Sequence, residues 1–142
     1  MDNNTQFAIK NFKSWSSHDG GGFQFSLYVD GKKFAIVTDD GWGGPVDVQC
    51  IFASQLESLE KYVSQFKWQY KGAEYDMDLE VWISNLVSEY MFNKKLEKAK
   101  KKGITFKLLD DGKDVFRTLN TLDLAKAKAY LDSKFANNYQ LI

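Results

Sequence analysis

Cysteine, histidine, proline and arginine each occur only once among the 142 residues of this chain. One cysteine excludes an intramolecular disulfide and favours a reducing compartment. One cysteine with one histidine leaves little from which to build a structural zinc site. A single arginine disfavours sequence-specific DNA recognition, which relies on the bidentate guanidinium group. These scarcities favour a binding protein over an enzyme, and we expect neither a cofactor nor a metal.

Long apolar runs are also missing. No stretch approaches the roughly 20 apolar residues that cross a bilayer. The first residues, MDNNTQFAIKNFK, contain no apolar core of signal-peptide length. The sequence therefore predicts a cytoplasmic protein with no membrane partner.

The net charge is zero because 19 basic side chains balance 19 acidic ones. A neutral chain disfavours a generic nucleic-acid-binding protein, whose domain is strongly basic, and equally an acidic DNA mimic. The balance conceals two halves, since residues 1–92 carry a net charge of −6 and residues 93–142 a net charge of +6. Two halves of opposite sign either compensate each other or present two charged faces to a partner.

Hydrophobic residues at 44% and aromatic residues at 15% exclude disorder and predict one globular domain over residues 1–142. The strongest strand signal is the alternation of apolar and polar residues over 23–29. Asp30-Gly31 follows it and predicts a two-residue type I′ hairpin turn. The register that such a turn sets contains two apolar pairs, Leu27 with Phe34 and Phe25 with Ile36.

Further elements follow from spacing and turn residues. Strands are predicted over 7–15 and 46–52, with a polar-aromatic connection over 68–72. A first helix is predicted from Ser54, with Glu57 completing a capping box and a buried stripe of Leu56, Leu59, Val63 and Phe66. A longer helix capped by Asp76 or Asp78 is predicted to run to a C-terminal glycine, Gly103.

The remaining third of the sequence predicts a second hairpin and a last helix. A two-residue loop at Asp111-Gly112 places Leu108 opposite Val115 and Ile104 opposite Leu119. The last helix is predicted over 121–135, with Leu124, Ala127, Leu131 and Phe135 on one side. The fold class is therefore α+β, with an N-terminal β-meander and a C-terminal hairpin forming a mostly antiparallel sheet packed with about three helices.

The segment DDGWGGP at residues 39–45 is the strongest candidate for a binding site. Its glycines let backbone N–H groups approach a ligand, and Trp42 offers a flat stacking surface. The glycines at 20–22 are expected at the same end of the sheet, because the strands that adjoin the two segments pair with each other. The alternative is a wide turn whose Trp42 packs back onto the sheet. The candidate contacts are Asp39, Asp40, Trp42, Gly43 and Gly44.

Catalytic constellations are poorly supported. Cys50 lies in an apolar strand pattern and is expected to act as a small buried hydrophobe. His18, in a glycine-rich turn, is expected to be a solvated loop residue. Asp39, Asp40 and Asp47 have carboxylates for a divalent cation but lack the ligand spacing of a calcium loop. We therefore assign no catalytic residue and no metal ligand.

A lysine-rich helix end is the second candidate contact surface. Residues 93–102 contain six lysines and one glutamate. Lys94, Lys95, Lys98 and Lys101 are expected to meet phosphate or an acidic protein surface, unless they form only a solvated helix end.

Residues 20–45, GGGFQFSLYVDGKKFAIVTDDGWGGP, resemble small uncharacterised proteins of bacteriophages and mobile elements. The shared features are an aromatic-rich strand, a YxDGKK hairpin and a DGxGG loop. The resemblance implies an accessory phage protein, a group that includes inhibitors of bacterial immunity such as anti-CRISPR proteins and sponges of nucleotide signals. It would place the protein in the cytoplasm of the host cell, and it assigns no functional residue.

Three hypotheses follow. The first is a non-enzymatic inhibitor that binds a host defence protein or effector complex, with an anti-CRISPR role preferred. The second is a homo-oligomeric sponge that sequesters a nucleotide second messenger through the Gly-rich Trp42 loop. The third is a small metal-assisted hydrolase that uses Asp39, Asp40 or His18.

Overall fold

A computed structural model describes residues 4–17 and 20–142 of the chain. This part of the chain contains three helices and mostly antiparallel strands, which confirms the α+β class. The chain divides into two compact units, Met1–Asn85 and Leu86–Ile142, and each is described in turn. None of the described helices is long and apolar enough to cross a membrane.

The first unit is built on a four-stranded antiparallel meander. Its strands follow one another in chain order as β1 (Phe7–Trp15), β2 (Gly22–Val29), β3 (Lys32–Asp39) and β4 (Asp47–Cys50). The predicted turn between β2 and β3 is confirmed, because Asp30 and Gly31 have φ angles of 50° and 83°. The strand predicted over 46–52 is present, but it is shorter, since β4 covers only Asp47–Cys50.

The predicted register of the β2–β3 hairpin is wrong beyond the turn. Leu27 lies opposite Ala35 instead of Phe34, and Phe25 lies opposite Val37 instead of Ile36. The cause is a β-bulge, in which Phe34 is an extra residue that the partner strand does not match. The bulge lets the neighbouring Phe34 and Ala35 both be buried and turns Val37 into the core.

Two helices supply the other apolar groups of the first unit. Helix α1 (Ala53–Ser64) buries Leu59 and Val63 as predicted, whereas Phe66 lies beyond the end of the helix and is 38% exposed. The predicted Ser54–Glu57 capping box is wrong: the Gln55 side chain accepts a hydrogen bond from the Phe52 N–H at 3.0 Å, and the helix begins one residue earlier.

The second helix, α2 (Leu79–Lys100), begins after Asp78, whose Oδ1 accepts the Val81 N–H at 2.8 Å. This confirms one of the two predicted caps. In the first unit the Phe7 ring contacts both Tyr62 and Trp82, at ring-centre distances of 5.3 and 4.9 Å. Aromatic contacts therefore join the first strand to both helices.

The connection predicted over 68–72 is instead a small hairpin of β5 (Lys67–Tyr70) and β6 (Ala73–Asp76). Its turn residues, Lys71 and Gly72, have φ angles of 49° and 79°. The strands alternate aromatic with polar residues, which is the period-two pattern of a strand, but every residue of the two strands except Trp68 is exposed. The Trp68 ring contacts Tyr70 on its own strand and Tyr75 on the paired strand, at ring-centre distances of 5.8 and 5.5 Å.

The second unit contains a three-stranded sheet in the order β8-β7-β9, from β7 (Ile104–Leu108), β8 (Arg117–Leu119) and β9 (Tyr139–Leu141). Ile104 lies opposite Leu119 as predicted. Leu108 pairs with Tyr139 of the unpredicted β9, and Val115 is exposed outside any strand, so the predicted two-residue loop is wrong.

Helix α3 (Leu124–Phe135) packs in the second unit. It begins at Leu124, three residues later than predicted, after the N-cap Asp123, whose side chain accepts the Lys126 N–H at 3.2 Å. Ala127 and Leu131 are fully buried as predicted, but Leu124 is exposed because it lies next to the cap.

Gly103 follows the end of α2, but its role differs from the predicted cap. A Cβ at this position would overlap the carbonyl oxygen of Leu119, so the close approach of β8 requires glycine here.

The loop between β7 and β8 is held by an ion pair. The Arg117 guanidinium donates two hydrogen bonds of 3.0 Å to the Asp111 carboxylate, which also accepts the Leu108 N–H at 2.9 Å. The Arg117 hydrogen bonds, with that backbone hydrogen bond, hold the pKa of Asp111 below its ordinary value of 3.8. The connection between β7 and β8 is therefore held by the Asp111 carboxylate and not by the two-residue hairpin turn that the sequence predicted.

We expect Asp111→Asn to lower the urea midpoint of unfolding at pH 7. A carboxyl whose pKa is lower in the folded than in the unfolded chain adds stability above the unfolded pKa, and loses that contribution as the pH falls through the folded pKa. The difference between the variant and the parent should therefore shrink below the ordinary pKa of 3.8. Urea titrations at pH 7 and at acidic pH measure it. Asp110→Asn is the matched control, and an equal loss at both pH values would contradict the prediction.

Candidate binding cleft

Strand pairing brings the two glycine-rich segments to one end of the meander, as predicted. Trp15, at the end of β1, lies opposite Gly22, and Phe23 lies opposite Asp39. The residues just before β2 and just after β3 are therefore neighbours of the β1 end. An extra residue between Lys10 and Lys13 shifts the β1 register by one place, which decides the face on which Trp15 lies.

Glycine allows these segments to pack closely. A Cβ at Gly22 would lie 2.5 Å from the Asp39 carbonyl oxygen and would also strike the Trp15 indole nitrogen. Gly41 has a φ angle of 84°, and a Cβ there would lie 2.7 Å from Ser17 Oγ. The Trp15 indole rests against this backbone and donates its Nε1–H to the Asp40 carbonyl oxygen at 3.2 Å.

The loop after β3 is held by its own side chains. Asp39 Oδ1 accepts the Gly41 N–H at 2.9 Å, and Asp40 Oδ1 accepts the Trp42 N–H at 2.8 Å. Ser17 Oγ donates to the Gly41 carbonyl oxygen and accepts the Gly21 N–H at 3.0 Å. These bonds order the loop without a ligand, which lowers the entropic cost of binding one.

The ordered loop forms one side of a cleft of about 440 Å³. The lining residues are Trp15, Ser16, Ser17, Asp40 and Trp42. Trp42 is 65% exposed and Trp15 is 43% exposed, so the alternative in which Trp42 packs back onto the sheet is wrong. Two aromatic side chains and a carboxylate therefore face solvent in the same cleft.

The predicted site residues take different places in this arrangement. Trp42 and Asp40 line the cleft, whereas the Asp39 side chain supports the loop, and Gly43 and Gly44 lie beside the lining residues in sequence. Sequence reasoning missed Trp15, Ser16 and Ser17 as lining residues. The available signal was the strand prediction that ends at Trp15, next to the turn predicted to meet the Trp42 loop.

The carboxylates and the cysteine form no candidate metal-binding group in the described part of the chain. Asp47 lies in β4, where its side chain accepts a hydrogen bond from Gln49 at 3.0 Å. Residues 4–17 and 20–142 contain no group of three His, Cys, Asp or Glu side chains placed to hold a metal ion. Burial, with a smaller effect of Glu60, raises the pKa of the half-buried Cys50 thiol, which disfavours the nucleophilic thiolate. His18 lies outside the described residues.

The predicted lysine surface lies at the end of α2, in the second unit. Lys94, Lys98 and Lys101 are spaced to share one face of a helix, and all three are exposed. Lys94 Nζ lies 3.8 Å from Glu97 Oε2 and 5.5 Å from the Tyr90 ring centre. Lys95 instead lines a smaller hollow of about 250 Å³, together with Met91, Phe92, Phe116, Ser88 and Asp114.

Fold and cleft together define a small α+β protein with an exposed, internally ordered aromatic cleft at one end of a four-stranded sheet. Comparisons with protein-family models, with curated proteins and with solved structures find no match for this chain.

Proposed function

We propose that this protein is a non-enzymatic inhibitor that binds and blocks a bacterial immune effector of the CRISPR type. The observation that carries the proposal is the exposure of Trp42, at 65%, on a loop that is ordered by its own hydrogen bonds. Large exposed aromatic side chains on a rigid support are typical anchors of protein interfaces.

The energetic argument favours a protein partner. Tryptophan is enriched among the few interface residues that supply most of the binding energy, because it buries a large area with little loss of side-chain freedom. The Trp42 loop loses little further freedom on binding, since Asp39, Asp40 and Ser17 already hold its backbone. The Trp15 indole enlarges the same contact surface.

The choice of an immune effector rests on the resemblance of residues 20–45 to phage and mobile-element proteins. The scarcity of histidine, cysteine and arginine supports inhibition by binding rather than by catalysis. The lysine-rich end of α2 would add a second contact, to an acidic surface or to the nucleic acid that such an effector carries. The protein would then act in the cytoplasm of the host cell.

Phage plaquing tests this function. The protein is produced in bacterial strains that each carry one defined CRISPR system restricting a common phage, and plaquing is expected to recover in one of them. The purified effector is then titrated with the protein in a DNA-cleavage assay. A binding inhibitor should act only near equimolar amounts, whereas inactivation at far lower amounts would indicate an enzyme. Unchanged plaquing in every strain, with folded protein present, would reject the proposal.

A charge-reversal variant tests whether the lysine surface contributes to inhibition in the same DNA-cleavage assay. Replacing Lys94, Lys95, Lys98 and Lys101 by Glu should slow association with the effector at low salt, because like charges then oppose the encounter. If inhibition is unchanged while the fold remains intact, this surface is not a contact.

A second candidate function is the sequestration of a nucleotide signal, expected of a homo-oligomer. The cleft volume of about 440 Å³ lies in the range of small-molecule sites, and an indole can stack on a base. Calorimetry with cyclic nucleotides and ADP-ribose tests this function, together with tryptophan fluorescence. The absence of both heat and a fluorescence change would reject it.

The third hypothesis, a metal-assisted hydrolase, is supported only by the carboxylates in the sequence. Asp39 and Asp40 each use one carboxylate oxygen to hold the loop backbone.

A further inference from the structure

We infer that the cleft between Trp15 and Trp42 takes a cationic side chain of the partner protein, best matched by the guanidinium group of arginine. This inference rests on the proposed function, because it names the chemical group of the partner that the Trp42 loop would bind. It follows from the lining of the cleft, from the charge around it and from the use of its backbone N–H groups.

The aromatic lining suits a cation. Trp15 and Trp42 line one cleft and are 43% and 65% exposed, so a ligand can reach both side chains. The face of an indole carries negative electrostatic potential and attracts a cation within about 6 Å of the ring centre. A guanidinium group is planar and weakly hydrated, and it stacks on such a face more readily than a compact ammonium does.

The polar lining favours the same sign of charge. The Asp40 carboxylate lines the cleft, and the remaining polar lining residues that the structure describes are the neutral Ser16 and Ser17. The first unit as a whole is also acidic, because residues 1–85 contain seven lysines against twelve aspartates and glutamates. A phosphate group in this cleft would be repelled by the carboxylate, whereas a cation would be attracted.

The backbone of the loop gives a second argument against an anion. A phosphate-binding glycine loop presents several backbone N–H groups to the ligand. Here Ser17 Oγ accepts the Gly21 N–H, and the two aspartates accept those of Gly41 and Trp42. Of the two oxygens of Asp40, Oδ1 takes part in this bond, and a carboxylate has sites for several donors. The cleft therefore retains acceptors for a guanidinium group.

Asp40→Asn separates the charge of Asp40 from its structural role. Asparagine keeps an Oδ1 that can accept the Trp42 N–H, so the loop should be retained while the negative charge is lost. Nα-acetyl-arginine amide is the probe, and the citrulline analogue is its neutral counterpart of nearly the same shape. Binding is followed by NMR at the four indole N–H groups of the full chain.

We expect saturable shifts for the indole N–H groups of Trp15 and Trp42, with much smaller shifts for Trp68 and Trp82 in the same spectra. The citrulline analogue should cause almost no shift, and Asp40→Asn should weaken arginine binding about tenfold, because a charge-assisted hydrogen bond is lost. Equal shifts with citrulline, no saturable shift with arginine, or unchanged affinity in Asp40→Asn would each overturn the inference. If Nα-acetyl-lysine amide binds more strongly than Nα-acetyl-arginine amide, the preference for a guanidinium group is overturned.

The outcomes also separate this inference from the proposed function. If the protein inhibits an effector but arginine does not bind the cleft, the cationic ligand is rejected and the inhibitor function stands. If arginine binds at Trp15 and Trp42 but no immune system is inhibited, the function is rejected and the ligand assignment stands. Cyclic AMP, tested under the same conditions, should not shift these signals. If cyclic AMP binds and its binding becomes stronger in Asp40→Asn, the cleft is assigned to an anion.

Discussion

Replacing Trp42 by alanine is expected to weaken the binding of the inhibited effector about 100-fold, the size of effect seen when a central interface anchor is truncated. The melting temperature should change little, because the side chain is 65% exposed and its removal takes little apolar area from the core. Trp42→Phe should lose less affinity, since it keeps an aromatic face. Calorimetry with the effector that responds in the plaquing assay measures the affinities.

The matched control is Tyr130→Ala on α3, which removes another exposed aromatic side chain. It should leave the affinity unchanged if the contact is specific to the cleft. Full affinity in Trp42→Ala would show that the Trp42 loop is not the contact surface. An equal loss in Tyr130→Ala would point to a general effect of removing exposed aromatic groups.

Gly22→Ala is expected to lower the free energy of unfolding by about 3 kcal/mol and the melting temperature by about 10 °C. The added Cβ would lie 2.5 Å from the Asp39 carbonyl oxygen, which belongs to a strand backbone and cannot move aside without breaking its pairing. It would also strike the Trp15 indole nitrogen, so the indole must leave its hydrogen bond with the Asp40 carbonyl oxygen. Thermal unfolding and the NMR signal of the Trp15 indole measure both effects.

Gly44→Ala is the control in the adjacent loop. A Cβ at Gly44 would meet no atom within 4 Å, and its φ angle is not in the left-handed region. We expect the stability of this variant to lie close to that of the parent. If Gly22→Ala is equally well tolerated, the close packing of the β1 end against β2 and β3 is not needed to form the cleft.

Two of the five residues that line the candidate cleft could be found from the sequence. Trp42 and Asp40 belong to the glycine-rich segment that the sequence singles out, in which Trp42 offers a flat stacking surface. Trp15, Ser16 and Ser17 reach the cleft only through the pairing of β1 with β2. The extra residue between Lys10 and Lys13 shifts that pairing by one place, and neither strand shows this shift in its own sequence.

The same distinction holds for the elements of the fold. Asp30-Gly31 determines a turn and Asp78 caps a helix, because each acts on the backbone within three residues. The bulge at Phe34 and the pairing of Leu108 with Tyr139 depend on partners far along the chain, so they have no local signal. The amino-acid sequence by itself determined the α+β class, most element positions and the scarcity of histidine, cysteine and arginine. The tertiary structure alone decided which side chains share the cleft, because strand register is fixed by the packing of both partners.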